Sequence, residues 1–116
     1  MTNPASYDIT LRRGNDYEQL FVFQQPDESA MSLSGYVVKS QIRVKKDRTS
    51  ELLVEFTVAI PDPTNGKVYL RLTDTQTSDL TRSSGFYDIL LTSPSGFDEI
   101  YLEGKVFINR TVTMKA

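Results

Sequence analysis

A chain of 116 residues with 39% hydrophobic and 24% charged content is sized and composed for one globular domain around a single core. Its 13 basic and 15 acidic residues leave a net charge of −2, which argues against both a basic nucleic-acid-binding face and an acidic disordered tail. Cysteine and histidine are absent, so disulfides, thiolate nucleophiles, His-dependent triads, His or Cys zinc sites and the usual pH switch are all excluded.

The N-terminus, MTNPASYDITLRR, lacks the apolar centre of a signal peptide, and no apolar run approaches the roughly 18 residues of a membrane helix. The expectation is a soluble protein made in a cytoplasm, with residues 1–6 flexible and a single domain spanning 1–116. Tyr7–Arg12 alternates, with Tyr7, Ile9 and Leu11 on one face. Gly14, Asn15 and Asp16 then supply a turn. Tyr17–Gln24 follows, with Tyr17, Phe21 and Phe23 on one side and Leu20 and Val22 on the other. Two apolar faces suit a central strand or one covered by a partner. Gln25–Ser34 is polar and irregular. Tyr36–Val44 turns Val38, Ile42 and Val44 one way and Lys39, Gln41 and Arg43 the other, and Lys45–Ser50 is a charged hairpin loop.

Leu52–Ile60 reads as one strand whose Leu52, Val54, Phe56, Val58 and Ile60 form the most regular apolar stripe in the chain. Pro61–Lys67 is a turn cluster ending in the hairpin signal Asn65-Gly66. Val68, Leu70 and Leu72 make the next stripe. Thr73–Leu80 predicts one or two helical turns, capped by Thr and Asp, with Leu80 returning to the core. The last two strands, Gly85–Ser93 and Asp98–Arg110, flank a tight turn at Ser93-Pro94-Ser95-Gly96. Their inward set is Tyr87, Ile89 and Leu91 with Ile100, Leu102, Val106 and Ile108. Seven short strands, regular turn signals and one short helical turn near 74–80 predict an all-β fold. The expected form is an antiparallel immunoglobulin-like β-sandwich, with a small barrel as the alternative.

Carboxylates are the remaining acid–base material. Asp88 lies on the face away from Tyr87 and can oppose Glu99, Glu103 or Lys105 across the last hairpin. A catalytic pair needs two carboxyls on a rigid wall; a solvated cross-strand pair is the plainer reading. Asp62–Gly66 has oxygen donors and a glycine but lacks the alternating acids of a calcium loop, so it reads as a turn. Arg43–Arg48 is the one basic cluster; without interleaved aromatics it reads as a charged hairpin tip that blocks edge aggregation. The glycines are isolated, so no phosphate loop is present. Asn109–Thr111 matches a glycosylation acceptor, but no secretion signal accompanies it.

Aromatic residues carry the remaining signal. Phe86, Leu90, Tyr101 and Phe107 fall opposite the inward stripe of the final hairpin, and Phe97 sits just past its turn. A contiguous apolar patch of this kind marks an interface. The alternative is self-cover by the 25–34 loop or the N-terminal segment, with a slip of strand phase at a bulge such as Gly104.

The order of these segments is familiar. ITLRRGND leads into an aromatic-rich strand, followed by LSGYVVKSQIR, GKVYLRLTDTQTSDL, SGFYDILLTSPSG and EGKVFINRTVT. Over nearly the whole chain, this resembles the small β-sandwich domain of tailed-phage structural proteins. It looks like the N-terminal domain of siphophage baseplate upper proteins and related tail-fibre or tail-adaptor sandwiches. The resemblance implies a non-enzymatic virion assembly protein of the tail or baseplate. It further implies docking to other phage structural proteins and a homo-oligomer, with no cofactor, metal, nucleic acid, membrane or small-molecule substrate. The expected protein interface is Phe86, Leu90, Phe97, Tyr101 and Phe107. Receptor-carrying relatives continue into a linker and further domains, whereas this chain stops at Ala116, so the expectation is a stand-alone adaptor or one domain of a longer protein. Three other readings remain open: a capsid decoration protein, a carbohydrate-binding sandwich in which Tyr69 and Tyr101 stack on sugar rings, and an enzyme using carboxylates alone.

Overall fold

Side chains that alternate between water and core set the phase of each strand, and the strands they define were located in a computed structural model that describes residues 5–25 and 27–112. In chain order these are β1 (Ala5–Ser6), β2 (Ile9–Arg12), β3 (Tyr17–Val22), β4 (Val37–Arg43), β5 (Leu52–Glu55), β6 (Thr57–Asp62), β7 (Lys67–Leu72), β8 (Ser84–Thr92) and β9 (Asp98–Asn109). A 3-10 turn covers Pro63–Asn65 and one helix, α1, covers Asp74–Ser78. The larger sheet runs β1-β9-β8-β4-β5 with β2 also on β9, and the smaller runs β3-β7-β6. The expected all-β sandwich is formed. Among the described residues no helix is long and apolar enough to cross a membrane.

The core lies between the sheets. Ile9, Leu11, Val38, Ile42, Ile89, Leu91, Leu102, Val106 and Ile108 of the larger sheet meet Val68, Leu70 and Leu72 of the smaller one. Each such side chain contributes about 1.5–3 kcal/mol when fully buried. Leu33 and Leu80 also join this core. Leu80 returns from α1 as expected. That helix starts on a capping box: Gln76 N–H donates to Thr73 Oγ1 at 3.2 Å, and Thr73 N–H donates to Gln76 Oε1 at 2.8 Å. The buried Thr77 ties the helix to the β2–β3 turn, accepting from Gly14 N–H at 3.1 Å and donating to the Asn15 carbonyl at 2.8 Å.

Two segments differ from their sequence reading. The N-terminal strands pair with β9 in parallel, Ala5 opposite Leu102 and Ile9 opposite Val106, so the larger sheet is mixed. Residues 5 and 6 are held in it, whereas residues 1–4, also expected to be flexible, lie outside the described residues. Tyr7 N–H donates to the Glu103 carbonyl at 2.9 Å between the two strands. Gly104 is needed there because a Cβ would meet the Tyr7 carbonyl oxygen at 2.0 Å. Tyr87 closes the same junction, its hydroxyl donating to that oxygen at 2.5 Å.

The second difference is the Leu52–Ile60 stripe. It is two strands rather than one: β5 joins β4 in the larger sheet, and β6 joins β7 in the smaller. Phe56 sits at the crossing, buried, with its N–H donating to the Ser40 carbonyl at 2.9 Å. A strand that changes sheets must rotate at the corner, so the stripe does not share one face. Phe56 is buried, Val54, Val58 and Ile60 are half-buried, and Leu52 is 44% exposed.

Candidate docking surface

The outer face of the larger sheet is built by β4, β8 and β9. Alternation sends Val38, Ser40 and Ile42 inward and Lys39, Gln41 and Arg43 outward on β4; on β8, Phe86, Asp88 and Leu90 face out. On β9 the phase changes. Ile89 pairs with Leu102, but Leu90 pairs with Ile100, which leaves Tyr101 as the extra residue of a β-bulge. The bulge reverses two expectations. Ile100, expected inward, lines the outer face beside Leu90. Tyr101, expected outward, packs half-buried against the core, its ring edge-on to Phe23 at 5.9 Å.

The outward residues of β4 and β8, with Ile100 and Glu103 of β9, floor a groove of about 360 Å³. Phe86, Leu90 and Ile100 supply its apolar part, with Asp88 between Phe86 and Leu90 along β8. The β4–β5 loop folds back to form one wall. Lys46 Nζ reaches Glu103 Oε2 on β9 at 2.5 Å. Asp47 holds the loop's shape by accepting from Thr49 N–H at 3.0 Å and from its hydroxyl at 2.9 Å, and these bonds make Asp47 more acidic. Arg43 donates to the Ser50 carbonyl and to Gln41 Oε1, each at 2.8 Å. The basic cluster is an exposed loop between β4 and β5, as a charged hairpin tip is, and it also lines the groove.

Asp88 and Glu103 are direct cross-strand partners. Partial burial pushes the Asp88 carboxyl up, the Glu103 charge adds to this, and Arg48, Arg43 and Lys46 pull it back. With Lys46 on Glu103, the arrangement is a cross-strand charge network at an open surface, worth up to about 1 kcal/mol per pair. Among the described residues no three carboxylates converge on a metal position. At Asp62, the side chain accepts from Asn65 Nδ2 at 2.7 Å and Thr64 Oγ1 at 3.1 Å, which lowers its pKa and matches the turn reading.

Of the five residues expected at the interface, Phe86 and Leu90 share the groove. Phe107 is on the same face beyond Lys105, whose ammonium lies 5.1 Å from the centre of its ring. Phe97 is at the β8–β9 turn, 66% exposed, with its N–H donating to Ser93 Oγ at 3.0 Å. Tyr101 is half-buried and packs against the core. Tyr69, the other candidate for sugar stacking, carries the Arg71 guanidinium 5.1 Å from its ring centroid.

No protein-family model matches the chain, and no curated protein matches it significantly. Among solved structures, the N-terminal domain of phage TP901-1 ORF48 superposes with a TM-score of 0.56, covering 93% of this chain and 91% of that chain. The two chains share a fold. Their sequence identity is 12%, so the likeness extends to the path of the backbone and not to individual side chains.

Proposed function

We propose that this protein is a non-enzymatic structural module of a phage tail or baseplate, an adaptor that docks neighbouring virion subunits without a bound cofactor. The observation that carries the reading is the fold shared with a phage domain over nearly the full length of both chains. The resemblance to baseplate upper proteins and tail adaptors agrees with it.

The outer face of the larger sheet is the proposed contact surface. On its floor the apolar Phe86, Leu90 and Ile100 surround the Asp88 carboxylate, with Lys39, Arg43 and the 45–48 loop on one side and Glu103 on the other. Aromatic and aliphatic side chains mixed with charged ones suit a protein–protein contact. Phe107 and Phe97 extend the surface along the sheet and to its end. The place of action is the virion, after synthesis in the host cytoplasm.

Incorporation tests this directly. Particles assembled with Phe86→Ser/Leu90→Asp protein are expected to lack it, while Val112→Ser protein, altered at an exposed apolar residue beyond the end of β9, is retained. Wild-type incorporation of the double variant would remove the outer face from the reading. A wild-type chain that never enters particles would overturn the virion role itself.

A further inference from the structure

We propose that the free edge of β3 pairs with β3 of a second copy of this chain, antiparallel about Leu20, joining the two smaller sheets into one continuous sheet. The proposal concerns a different surface from the outer face of the larger sheet and does not rest on the virion reading. Phe23 N–H donates to the Gly66 carbonyl at 2.9 Å, which extends the β3–β7 register. It assigns the peptide groups of Tyr17, Gln19 and Phe21 to β7. By alternation, those of Glu18, Leu20 and Val22 point to the open side. All three residues are exposed, and Leu20 and Val22 are apolar.

The other sheet edges carry devices that discourage pairing. β6 contains Pro61 and a break in register between Ala59 and Asp62. β5 is four residues long, and its pairing with β4 shifts register between Ile42 and Arg43. β1 and β2 are two and four residues long. β3 has six residues in unbroken register, with no proline, glycine or lysine.

The geometry also selects the partner. The Asp16 turn bounds the open stretch on one side, and the bridge from Gln24 to Ala30 bounds it on the other. A two-fold axis at Leu20 sets all three open residues against open residues. Leu20 meets the partner subunit's Leu20, and Glu18 meets the partner subunit's Val22. Charge agrees with this register. Glu18 is held by Arg71 at 2.7 Å, and Lys67 lies next to Val22 on β7. Across the seam, each Glu18 therefore lies between its own Arg71 and the partner subunit's Lys67. The joined sheet then ends in β6 on both sides. Because Pro61 and the register break obstruct those ends, the assembly closes at two copies instead of growing into a fibre.

The chain has no cysteine, so a single Leu20→Cys substitution gives a clean probe. Opposed Cα atoms in a hydrogen-bonded antiparallel pair are about 5.5 Å apart, within disulfide reach. Under mild oxidation, Leu20→Cys protein is expected to become mostly covalent dimer, while Val37→Cys, on the other sheet and 54% exposed, stays mostly monomeric at the same concentration. By light scattering, the wild type is expected to be dimeric at tens of micromolar, in the range of about micromolar affinity. Leu20→Lys sets like charges opposite each other and should weaken association at least about tenfold. Leu20→Pro removes an outward N–H at a position where an edge strand tolerates proline and should have the same effect. Both variants should match the wild type in thermal unfolding at dilute concentration. A wild type that is monomeric at about 100 µM, Leu20→Cys cross-linking no faster than Val37→Cys, or a dimer untouched by Leu20→Lys would each overturn the proposal.

Discussion

The two sheets treat their outer faces in opposite ways. The larger sheet screens its face with its own β4–β5 loop, which is tied across β8 to β9 by Lys46 and Glu103. What remains open is a groove with an apolar floor and charged walls, suited to reading side chains. Among the described residues the smaller sheet has no such flap over β3. Its Leu20 and Val22 are bare, and its edge offers peptide groups. One sheet is shaped for contact by surface, the other for contact by backbone pairing. The two proposed contact surfaces share no residue.

This division requires the sheets to hold together, and Phe56 is where they are pinned. Its ring lies 6.0 Å from Tyr17 on the smaller sheet and 6.3 Å from Tyr87 on the larger. Phe56→Ala is expected to cost about 3–5 kcal/mol in urea unfolding, the largest of the expected losses. A cost below about 1 kcal/mol, the level of an ordinary exposed substitution, would mean that the sheets are joined elsewhere. Gly104→Ala comes next. It forces a methyl onto the Tyr7 carbonyl, so β1 and the start of β2 must move off β9. Overpacking of this kind costs about 1–3 kcal/mol, and hydrogen exchange should show the Tyr7 amide losing protection before those of β8 do.

The sequence makes some of this organisation visible and hides the rest, for a physical reason. In the alternating sets, Ile9/Leu11, Val38/Ile42, Val68/Leu70/Leu72 and Tyr87/Ile89/Leu91 are buried as their period demands, whereas Tyr7, at the start of the first set, is exposed and Val44, at the end of the second, is half-buried. Thr73 and Gln76 mark the helix start by local bonding alone. What alternation cannot carry is the partner. Leu52–Ile60 keeps one period across a change of sheets, so it reads as one strand. At Ile100-Tyr101 both residues are apolar, so either fits either face, and the bulge that decides between them depends on β8. Gly104 draws attention as a bulge site, yet its glycine answers to Tyr7, a residue nearly the whole chain away. The β3 segment shows the same limit. Its two apolar faces suit a central strand, but only the pairing pattern reveals it as an edge. The 45–48 loop, through Lys46, lines part of the outer face, a placement that depends on Glu103 of a distant strand and so leaves no local mark in the sequence.

The contrast between the sheets can be sharpened by separating their partners. Leu90→Asp is expected to lower incorporation into particles at least about tenfold and leave self-association unchanged. Leu20→Lys is expected to do the reverse for self-association in the purified chain. If both variants lose both properties, the two surfaces act as one, and the division between them fails.

The smallest effect probes the screened face alone. In the folded chain the Asp88 carboxyl is pushed up from its ordinary 3.8, first by burial and then by Glu103. A raised acid binds its proton more tightly when folded, so the associated stability is fully present below the unfolded value and is lost as pH rises through the folded one. Ionised Asp88 therefore weakens the fold slightly at neutral pH. Asp88→Asn should raise the urea midpoint at pH 7 and leave it nearly unchanged near pH 3, where the native aspartate is already protonated. The gain is limited because Arg48, Arg43 and Lys46 partly compensate the charge and solvent reaches the site. Lys46→Ala removes one of those cations and the tie to Glu103, so the advantage of asparagine at pH 7 should grow in that background. An advantage that is independent of pH, or that shrinks without Lys46, would show that the loop does not govern the electrostatics of the face it covers.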